Sequence, residues 1–206
     1  MKTWNKKEIE KESAFFLRDK FGLDLLDASI LARRGISAQN GLLYFLEDNL
    51  RFLRNPFDFV QMEDAVDRIT AAAEEGEKVL IFGDRDVDGI TATAVLYEQL
   101  KRMGIDVSWR LPSGDDAYGL SEEAVEEFAK NYGSLLITVD CGISNNAEIK
   151  MAQDLGISVI VTDHHTPPEN LPPAEIILNP KCQDSGCAFS DISGCEVAFK
   201  LVQALR

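Results

Sequence analysis

An apolar run leads directly into three alternating acidic residues near the middle of the chain, in Val79-Leu80-Ile81-Phe82-Gly83-Asp84-Arg85-Asp86-Val87-Asp88-Gly89. A short apolar run of this kind is typical of a buried strand, and the two glycines indicate a turn after it. The three carboxylates repel one another, so cations or hydrogen-bond donors must neutralise them. Oxygen ligands at this density suit Mg²⁺, Mn²⁺ or Ca²⁺. The stretch therefore predicts a strand that ends in a metal site.

Two other interpretations of the acidic turn are weaker. An EF-hand loop also begins Asp-x-Asp-x-Asp-Gly, but its twelfth position requires Glu, and this chain has Val95 there. An EF-hand also follows a helix, whereas a strand precedes this motif. The plainer alternative is a turn whose Asp residues cap the next helix, which is common for one Asp and unusual for three.

Apolar strands and amphipathic helices alternate along the rest of the chain. We predict strands at 79–82, 107–111, 135–139, 159–162 and 176–178, and helices at 90–103, 121–131, 146–155 and 196–205. Continuous apolar strands that alternate with helices indicate an α/β fold, here a mostly parallel five-stranded sheet flanked by helices. Ligands of such sheets bind at the carboxyl ends of the strands.

Residues 1–77 have a different pattern, with helical periodicity at 9–20, 25–34, 42–49 and 61–75 and no convincing strand. Gly76 is a typical residue for ending the last of these helices. The sequence therefore predicts an N-terminal helical segment, residues 1–77, followed by an α/β domain, residues 78–206.

Two further polar clusters follow predicted strands. Asp140 comes after strand 135–139, and Asp163-His164-His165 comes after strand 159–162 with the only two histidines of the chain. A surface histidine pair is the alternative, but it leaves unexplained why three strand ends carry acids or histidines. Carboxylates and imidazoles that converge at one sheet edge can hold two divalent ions about 3.5 to 4 Å apart, an arrangement used for phosphoester hydrolysis.

Composition limits the class of protein. The chain has 206 residues, of which 45% are hydrophobic and 27% charged, which is typical of a globular protein. Its apolar runs are far shorter than the roughly 20 residues of a membrane span, and Met1 to Glu12 does not resemble a secretory signal. We therefore expect a cytoplasmic protein with no membrane partner and with its four cysteines reduced. The spacing of Cys182, Cys187 and Cys195 does not favour a zinc site.

The net charge of −14 is unevenly distributed. Residues 1–60 hold 10 basic and 9 acidic residues, whereas residues 61–206 hold 11 basic and 26 acidic ones. Such an excess of acid ordinarily argues against nucleic acid as a partner, because phosphate binding is driven by basic surface. Carboxylates that bind cations would produce the same excess. Motifs for dinucleotide binding, P-loops and serine hydrolases are absent from the sequence.

The order of the three polar motifs resembles that of the DHH phosphoesterase superfamily, and within it the N-terminal part of the RecJ-type single-stranded-DNA-specific exonucleases. Further motifs support the resemblance over most of the chain. They are Asn55-Pro56-Phe57, Ala117-Tyr118-Gly119-Leu120, Thr138 to Ser144, Asp163 to Pro168, Leu171 to Ala174, Asn179-Pro180, Ser193-Gly194 and Val197 to Lys200.

The resemblance implies a 5′-to-3′ exonuclease on single-stranded DNA that acts in repair and recombination and uses two Mn²⁺ or Mg²⁺ ions. It also implies a single-strand-binding protein and a helicase as partners. Residue roles are carried over by position. The metal ligands are Asp84, Asp86, Asp88, Asp140 and His164, and the catalytic residues are His165, which faces the phosphate, and Asp163, which supports it.

Three departures from the family pattern matter. Arg85 stands where the family usually has Tyr, and the stretch 112–116 lacks an expected Arg. The family's last metal-binding Asp and its second domain lie beyond the position of Arg206. We therefore expect this chain to be part of a longer protein, with weak or no activity in isolation.

Two alternatives stay open from the sequence. One is a phosphatase of the same superfamily that acts on pyrophosphate or short oligonucleotides, although the N-terminal helical segment speaks against it. The other is a catalytically silent DHH scaffold for protein interaction, against which the retained acids and histidines speak.

Overall fold

The computed structural model of the chain describes residues 3, 5–6, 8–36, 39–47, 49–114 and 116–206. The chain divides into two compact units, Met1–Arg54 and Asn55–Arg206. In the first unit the helices are α1 (Lys11–Phe21), α2 (Leu25–Arg33) and α3 (Gln39–Leu46), followed by a 3-10 turn at Leu50–Phe52. The predicted helix 42–49 therefore begins and ends three residues earlier, and Asp48 lies outside the described residues. A small core around Leu17, Ala28 and Leu42 holds this unit together.

The second unit is an α/β domain that starts with a 3-10 turn at Pro56–Asp58. Its elements, in chain order, are α4 (Met62–Glu75), β1 (Lys78–Gly83), α5 (Val87–Arg102), β2 (Asp106–Arg110), α6 (Glu122–Lys130), β3 (Leu135–Val139), α7 (Asn146–Asp154), β4 (Ser158–Thr162), β5 (Ile176–Leu178) and α8 (Gly194–Ala204). All strand pairs are parallel, in the order β2-β1-β3-β4-β5. The predicted α/β class and five-stranded parallel sheet are confirmed.

Helices cover both faces of the sheet. Val79 and Ile81 of β1 pack into a core with α4, α5 and α8, whereas Leu80 and Phe82 pack into a second core with α6 and α7. Because both faces are buried, the strands are continuous apolar runs rather than alternating ones. Helix α4 belongs to this packing, so the contact boundary lies before it, although the sequence pattern placed it in the N-terminal helical segment.

The strand order places a crevice where the predicted site lies. Strand β1 pairs with β2 on one side and with β3 on the other. The chain therefore adds β2 on one side of β1 and the later strands on the other side, so the strand order reverses between β1 and β3. In sheets of this order, ligands bind outside the carboxyl ends of the strands at this reversal. The loops after β1, β3 and β4 carry the three polar motifs. Among the described residues, no helix has the length and apolar character needed to cross a membrane.

A polar network ties α4 to the amino ends of the strands. Arg68 donates two hydrogen bonds to the carboxylate of Glu77, of 2.9 and 2.8 Å, and a third of 3.2 Å to the hydroxyl of Ser158. The hydroxyl of Ser134 also donates to Glu77. The Arg68 guanidinium holds the pKa of Glu77 below its usual value. The network therefore links α4 to the starts of β1, β3 and β4, at the end of the sheet opposite the crevice.

We expect Glu77→Gln to lower the free energy of unfolding by about 1 to 3 kcal/mol at pH 7, because it leaves Arg68 partly buried without its charge partner. The folded-state pKa of Glu77 is lowered, so its contribution is complete above the ordinary value of 4.5 and is lost as the pH falls through the lower folded value. The difference from wild type should therefore shrink below about pH 4.5. Urea unfolding of both proteins at several pH values measures this difference in the free energy of unfolding.

The matched control is Glu98→Gln, which removes an exposed i,i+4 pair with Arg102 in α5. Such pairs contribute only about 0.2 to 0.5 kcal/mol. Equal losses in the two variants would contradict a structural role for the Arg68–Glu77 network.

Candidate metal centre

The first acidic motif bends sharply from β1 into α5. A Cβ atom at Gly89 would lie 2.4 Å from the carbonyl oxygen of Asp84, so the turn needs glycine at that position. Helix α5 begins at Val87, three residues before the predicted start, because the Asp86 carboxylate caps it by accepting from the Gly89 amide at 3.0 Å. The capping alternative is therefore correct for Asp86, while Asp84 lies buried beside it and Asp88 lies in the first helical turn.

Asp88 is bound by the amino end of helix α8. Its two carboxylate oxygens accept from the backbone amides of Gly194 and Cys195, each at 2.7 Å. A carboxylate is favoured at a helix N-terminus by the free amides and the helix dipole. Each of these oxygens keeps a further lone pair, and Oδ2 lies 3.6 Å from Nε2 of His164. Asp88 thus connects the starts of α5 and α8 beside the site.

Asp140 is the buried centre of the cluster. It follows β3 with a left-handed backbone at φ 59° and is 1% exposed. Burial, followed by the nearby carboxylates of Asp88 and Asp86, raises the pKa of Asp140 to about 8. Helix α8 passes so close that a Cβ atom at Gly194 would lie 2.2 Å from Asp140 Oδ1.

His164 faces Asp140 in a way that favours a cation between them. Its Nδ1 lies 2.9 Å from the carbonyl oxygen of Ile192, so Nδ1 carries the proton and Nε2 of the neutral ring has a lone pair. Nε2 lies 3.1 Å from Asp140 Oδ1, and no residue that the structure describes donates a hydrogen bond to that buried oxygen. Once the Asp140 carboxyl has lost its proton, two lone pairs face each other here, and a spacing of 3.1 Å suits two ligands of one metal ion.

Asp163 orients His165 and is itself fully engaged. One carboxylate oxygen accepts from the Ile143 amide at 2.9 Å, and the other accepts from the amides of His164 and His165 at 2.7 and 3.0 Å. The second oxygen also lies 2.8 Å from Nδ1 of His165. The neutral imidazole therefore carries its proton on Nδ1, which leaves Nε2 as the acceptor. Asp163 acts by positioning other groups.

Two groups of candidate ligands share Asp140. Atoms of Asp84, Asp86 and Asp140 lie within 4.8 Å of one another, and so do atoms of Asp140, His164 and His165. Carboxylate oxygens suit both Mn²⁺ and Mg²⁺, whereas imidazole nitrogens favour transition-metal ions such as Mn²⁺, and the buried Asp140 oxygen without a donor fits a bound cation. The structure thus brings together five of the residues singled out in the sequence, while Asp88 and Asp163 lie outside these two groups.

Two contacts with the site were not predicted from the sequence. The hydroxyl of Tyr118 donates to the backbone carbonyl of Asp140 at 3.2 Å, and the side chain of Asn179 donates to the carbonyl of His165 at 3.0 Å. Burial, followed by the charge of Asp163, raises the pKa of Tyr118, so its hydroxyl keeps the proton. Both residues lie in motifs that support the family resemblance, but nothing in the sequence around them indicates a role in the site.

Arg85, at the position where the family usually has Tyr, donates to the Gly114 carbonyl at 2.9 Å.

The chain is similar to a known protein family and to known proteins. Residues 78–206 match the DHH family, N-terminal domain. The chain is 34% identical over 203 residues to the single-stranded-DNA-specific exonuclease RecJ of Bacillus subtilis, covering 98% of this chain and 26% of that protein. It is 40% identical over 147 residues to the Escherichia coli exonuclease of the same name, and the match covers 70% of this chain and 26% of that protein. The chain thus spans about a quarter of the length of these relatives.

Solved structures show the same similarity. Exonuclease RecJ bound to manganese has a TM-score of 0.65 and 35% identity, over 71% of this chain and 37% of that one. RecJ from Thermus thermophilus in complex with Mn²⁺ has a TM-score of 0.71 and 29% identity, and the match covers 94% of this chain and 27% of that one.

We expect Gly194→Ala to weaken Mn²⁺ binding by about 10- to 100-fold, because the added methyl group would displace the Asp140 carboxylate. Titration calorimetry of the 206-residue chain measures the affinity. Gly41→Ala is the control, since a Cβ atom there meets only Ile36 at 3.9 Å. Unchanged affinity in Gly194→Ala would contradict a binding role for Asp140.

We also expect Mn²⁺ affinity to rise with pH. The folded chain keeps a proton on Asp140 up to about pH 8, whereas the ordinary value is 3.8, so the ion must displace that proton across this window. For the same reason, the stability that Asp140 contributes to the metal-free chain falls as the pH rises through the window. Affinity should increase up to about tenfold per pH unit toward pH 8.

Calorimetry at pH 6 in buffers of different ionisation enthalpy counts the protons released on binding. The reference is Asp140→Asn, which has no carboxyl proton to lose. An affinity that stays constant between pH 6 and pH 8 would exclude this competition.

Proposed function

The chain belongs to the DHH family, and from that premise we propose that it forms the metal-dependent phosphodiesterase centre of a single-stranded-DNA-specific exonuclease. The observation that carries the proposal is the 3.1 Å contact between His164 Nε2 and the buried Asp140 oxygen, where a divalent cation can replace the proton that Asp140 keeps up to about pH 8. Phosphodiester hydrolysis at paired divalent ions is an established use of such a donor set.

The residues divide the work between holding ions and handling phosphate. Asp84, Asp86 and Asp140 would hold one Mn²⁺ or Mg²⁺ ion, and Asp140 and His164 would hold the other. Asp88 would add a carboxylate to the second ion, since it lies 3.6 Å from His164 Nε2. The ions would supply positive charge against phosphate oxygens and would activate water for attack on phosphorus.

His165 is placed to meet the phosphate. Its Nδ1 proton is held by Asp163 at 2.8 Å, which fixes the ring and leaves Nε2 for the substrate side. A neutral ring accepts a proton at Nε2, and a protonated ring donates from Nε2 to a phosphate or leaving oxygen. Asp163, buried and bonded to three backbone amides, stays in place during either step.

The substrate that we propose is single-stranded DNA, because the relatives of this chain are named single-stranded-DNA-specific exonucleases. The 5′-to-3′ direction, the role in repair and recombination, and the single-strand-binding protein and helicase partners remain predictions from the family resemblance. A cytoplasmic location also remains a prediction. Residues 61–206 carry 26 acidic and 11 basic residues, so this chain by itself should hold DNA weakly.

The direct test incubates the chain with 5′-labelled and 3′-labelled single-stranded DNA and Mn²⁺, and follows release of mononucleotides. We expect slow, metal-dependent release, abolished by EDTA and lowered at least about 100-fold in His164→Ala. A matched variant, Lys150→Ala, removes an exposed residue of α7 and should leave the rate unchanged.

The same assay separates the alternatives. Faster hydrolysis of pyrophosphate or a dinucleotide than of long single-stranded DNA would favour the small-substrate phosphatase. Full hydrolysis by His164→Ala would contradict the proposed centre. Mn²⁺ that fails to bind at all, measured by calorimetry, would favour the silent scaffold.

A further inference from the structure

Tyr118 lies at the site without a role in the metal groups described above. It belongs to the loop between β2 and α6, and about half of its surface is exposed. Its hydroxyl donates to the backbone carbonyl of Asp140 at 3.2 Å and lies 3.3 Å from Nδ1 of His165. The edge of its ring also contacts the His165 imidazole, with the centroids 5.8 Å apart and the planes at 77°. One side chain therefore bridges two strand ends.

The loop that carries Tyr118 is fixed on its other side. The side chain of Asn145 accepts from the Leu120 amide at 3.2 Å and donates to the Leu120 carbonyl at 3.1 Å. Leu120 is buried in the core against α6 and α7, and Gly119 adopts φ 87°, with no room for a Cβ atom beside Asn145. Because the next two residues are held in this way, the position of the Tyr118 hydroxyl is set by the core.

His165 needs a restraint of this kind. Asp163 holds its Nδ1 at 2.8 Å, but one hydrogen bond lets an imidazole tilt about the bond axis. The Tyr118 hydroxyl supplies a second polar contact at the same nitrogen, and the ring edge adds a steric contact. Together they leave Nε2 pointing in one direction.

On the basis of the proposed function, we propose that Tyr118 is a positioning residue that fixes the His165 ring toward the substrate phosphate. The family resemblance assigns no role to this residue. The phosphate group that His165 faces belongs to a nucleotide, so the relevant probe is a nucleoside 5′-monophosphate bound in the presence of Mg²⁺.

The test uses Tyr118→Phe, which removes only the hydroxyl, with Tyr132→Phe as the control for an exposed tyrosine. The chain has two histidines, so long-range proton–nitrogen spectra of the imidazoles contain one signal set for each. We expect the His165 ring signals to shift and broaden in Tyr118→Phe, while those of His164, held by Ile192 but 4.6 Å from the His165 ring between centroids, shift less and stay sharp. His165 signals that match wild type in shift and width would overturn the proposal.

A second measurement separates positioning from a general loss of structure. Mg²⁺ affinity and the melting temperature should stay close to wild type in Tyr118→Phe, because neither proposed ligand group loses an atom. Affinity for thymidine 5′-monophosphate in saturating Mg²⁺ should fall about tenfold, the size of effect expected when a phosphate contact is misaligned. Unchanged nucleotide affinity would also overturn the proposal.

Failure of the proposed function would look different. A wild-type chain that binds Mg²⁺ and nucleotide and hydrolyses pyrophosphate or a dinucleotide, but not single-stranded DNA, would refute the exonuclease assignment. The comparison of His165 spectra between wild type and Tyr118→Phe would still decide the role of Tyr118.

Discussion

The lone pair of His164 Nε2 faces a buried oxygen of Asp140 at 3.1 Å, and the rest of the site depends on this contact. When Asp140 is ionised and His164 is neutral the contact is repulsive, since the proton of His164 is held on the other ring nitrogen by Ile192. Burial and neighbouring carboxylates also disfavour the charge on Asp140, whose pKa rises to about 8. A divalent cation removes both problems, because it binds the imidazole lone pair and the carboxylate together.

The fold supplies the rigid frame that keeps these unfavourable neighbours together. Strand order places the ends of β1 and β3 at the crevice, while the amino end of α8 holds Asp88 and passes beside Asp140 without a side chain at Gly194. Ions bound there would also offset part of the net charge of −14. The remaining acid lies largely on solvated helix faces such as that of α6, and under the proposed function it should make this chain hold DNA weakly.

The strands and the position of the site could be predicted from the sequence, because short stretches of neighbouring residues determine both. Apolar runs marked all five strands, and acids or histidines directly after three of them marked one edge of the sheet. The predicted start of α5 at residue 90 is three residues late, because the position of the capping Asp among three alternating acids depends on the geometry of the turn, and Asp86 is the one that caps the helix. The contact from α8 to Asp88 joins residues 106 positions apart, and that from Tyr118 to His165 spans 47, so tertiary packing decides both.

Diffraction from crystals of the chain equilibrated with Mn²⁺, recorded at the manganese absorption edge, tests whether a divalent cation joins Asp140 to His164. We expect an anomalous peak in contact with both Asp140 Oδ1 and His164 Nε2, and a second peak between Asp84, Asp86 and Asp140. Crystals that show no peak at Asp140 and a direct hydrogen bond from a protonated His164 to that carboxylate would contradict this arrangement.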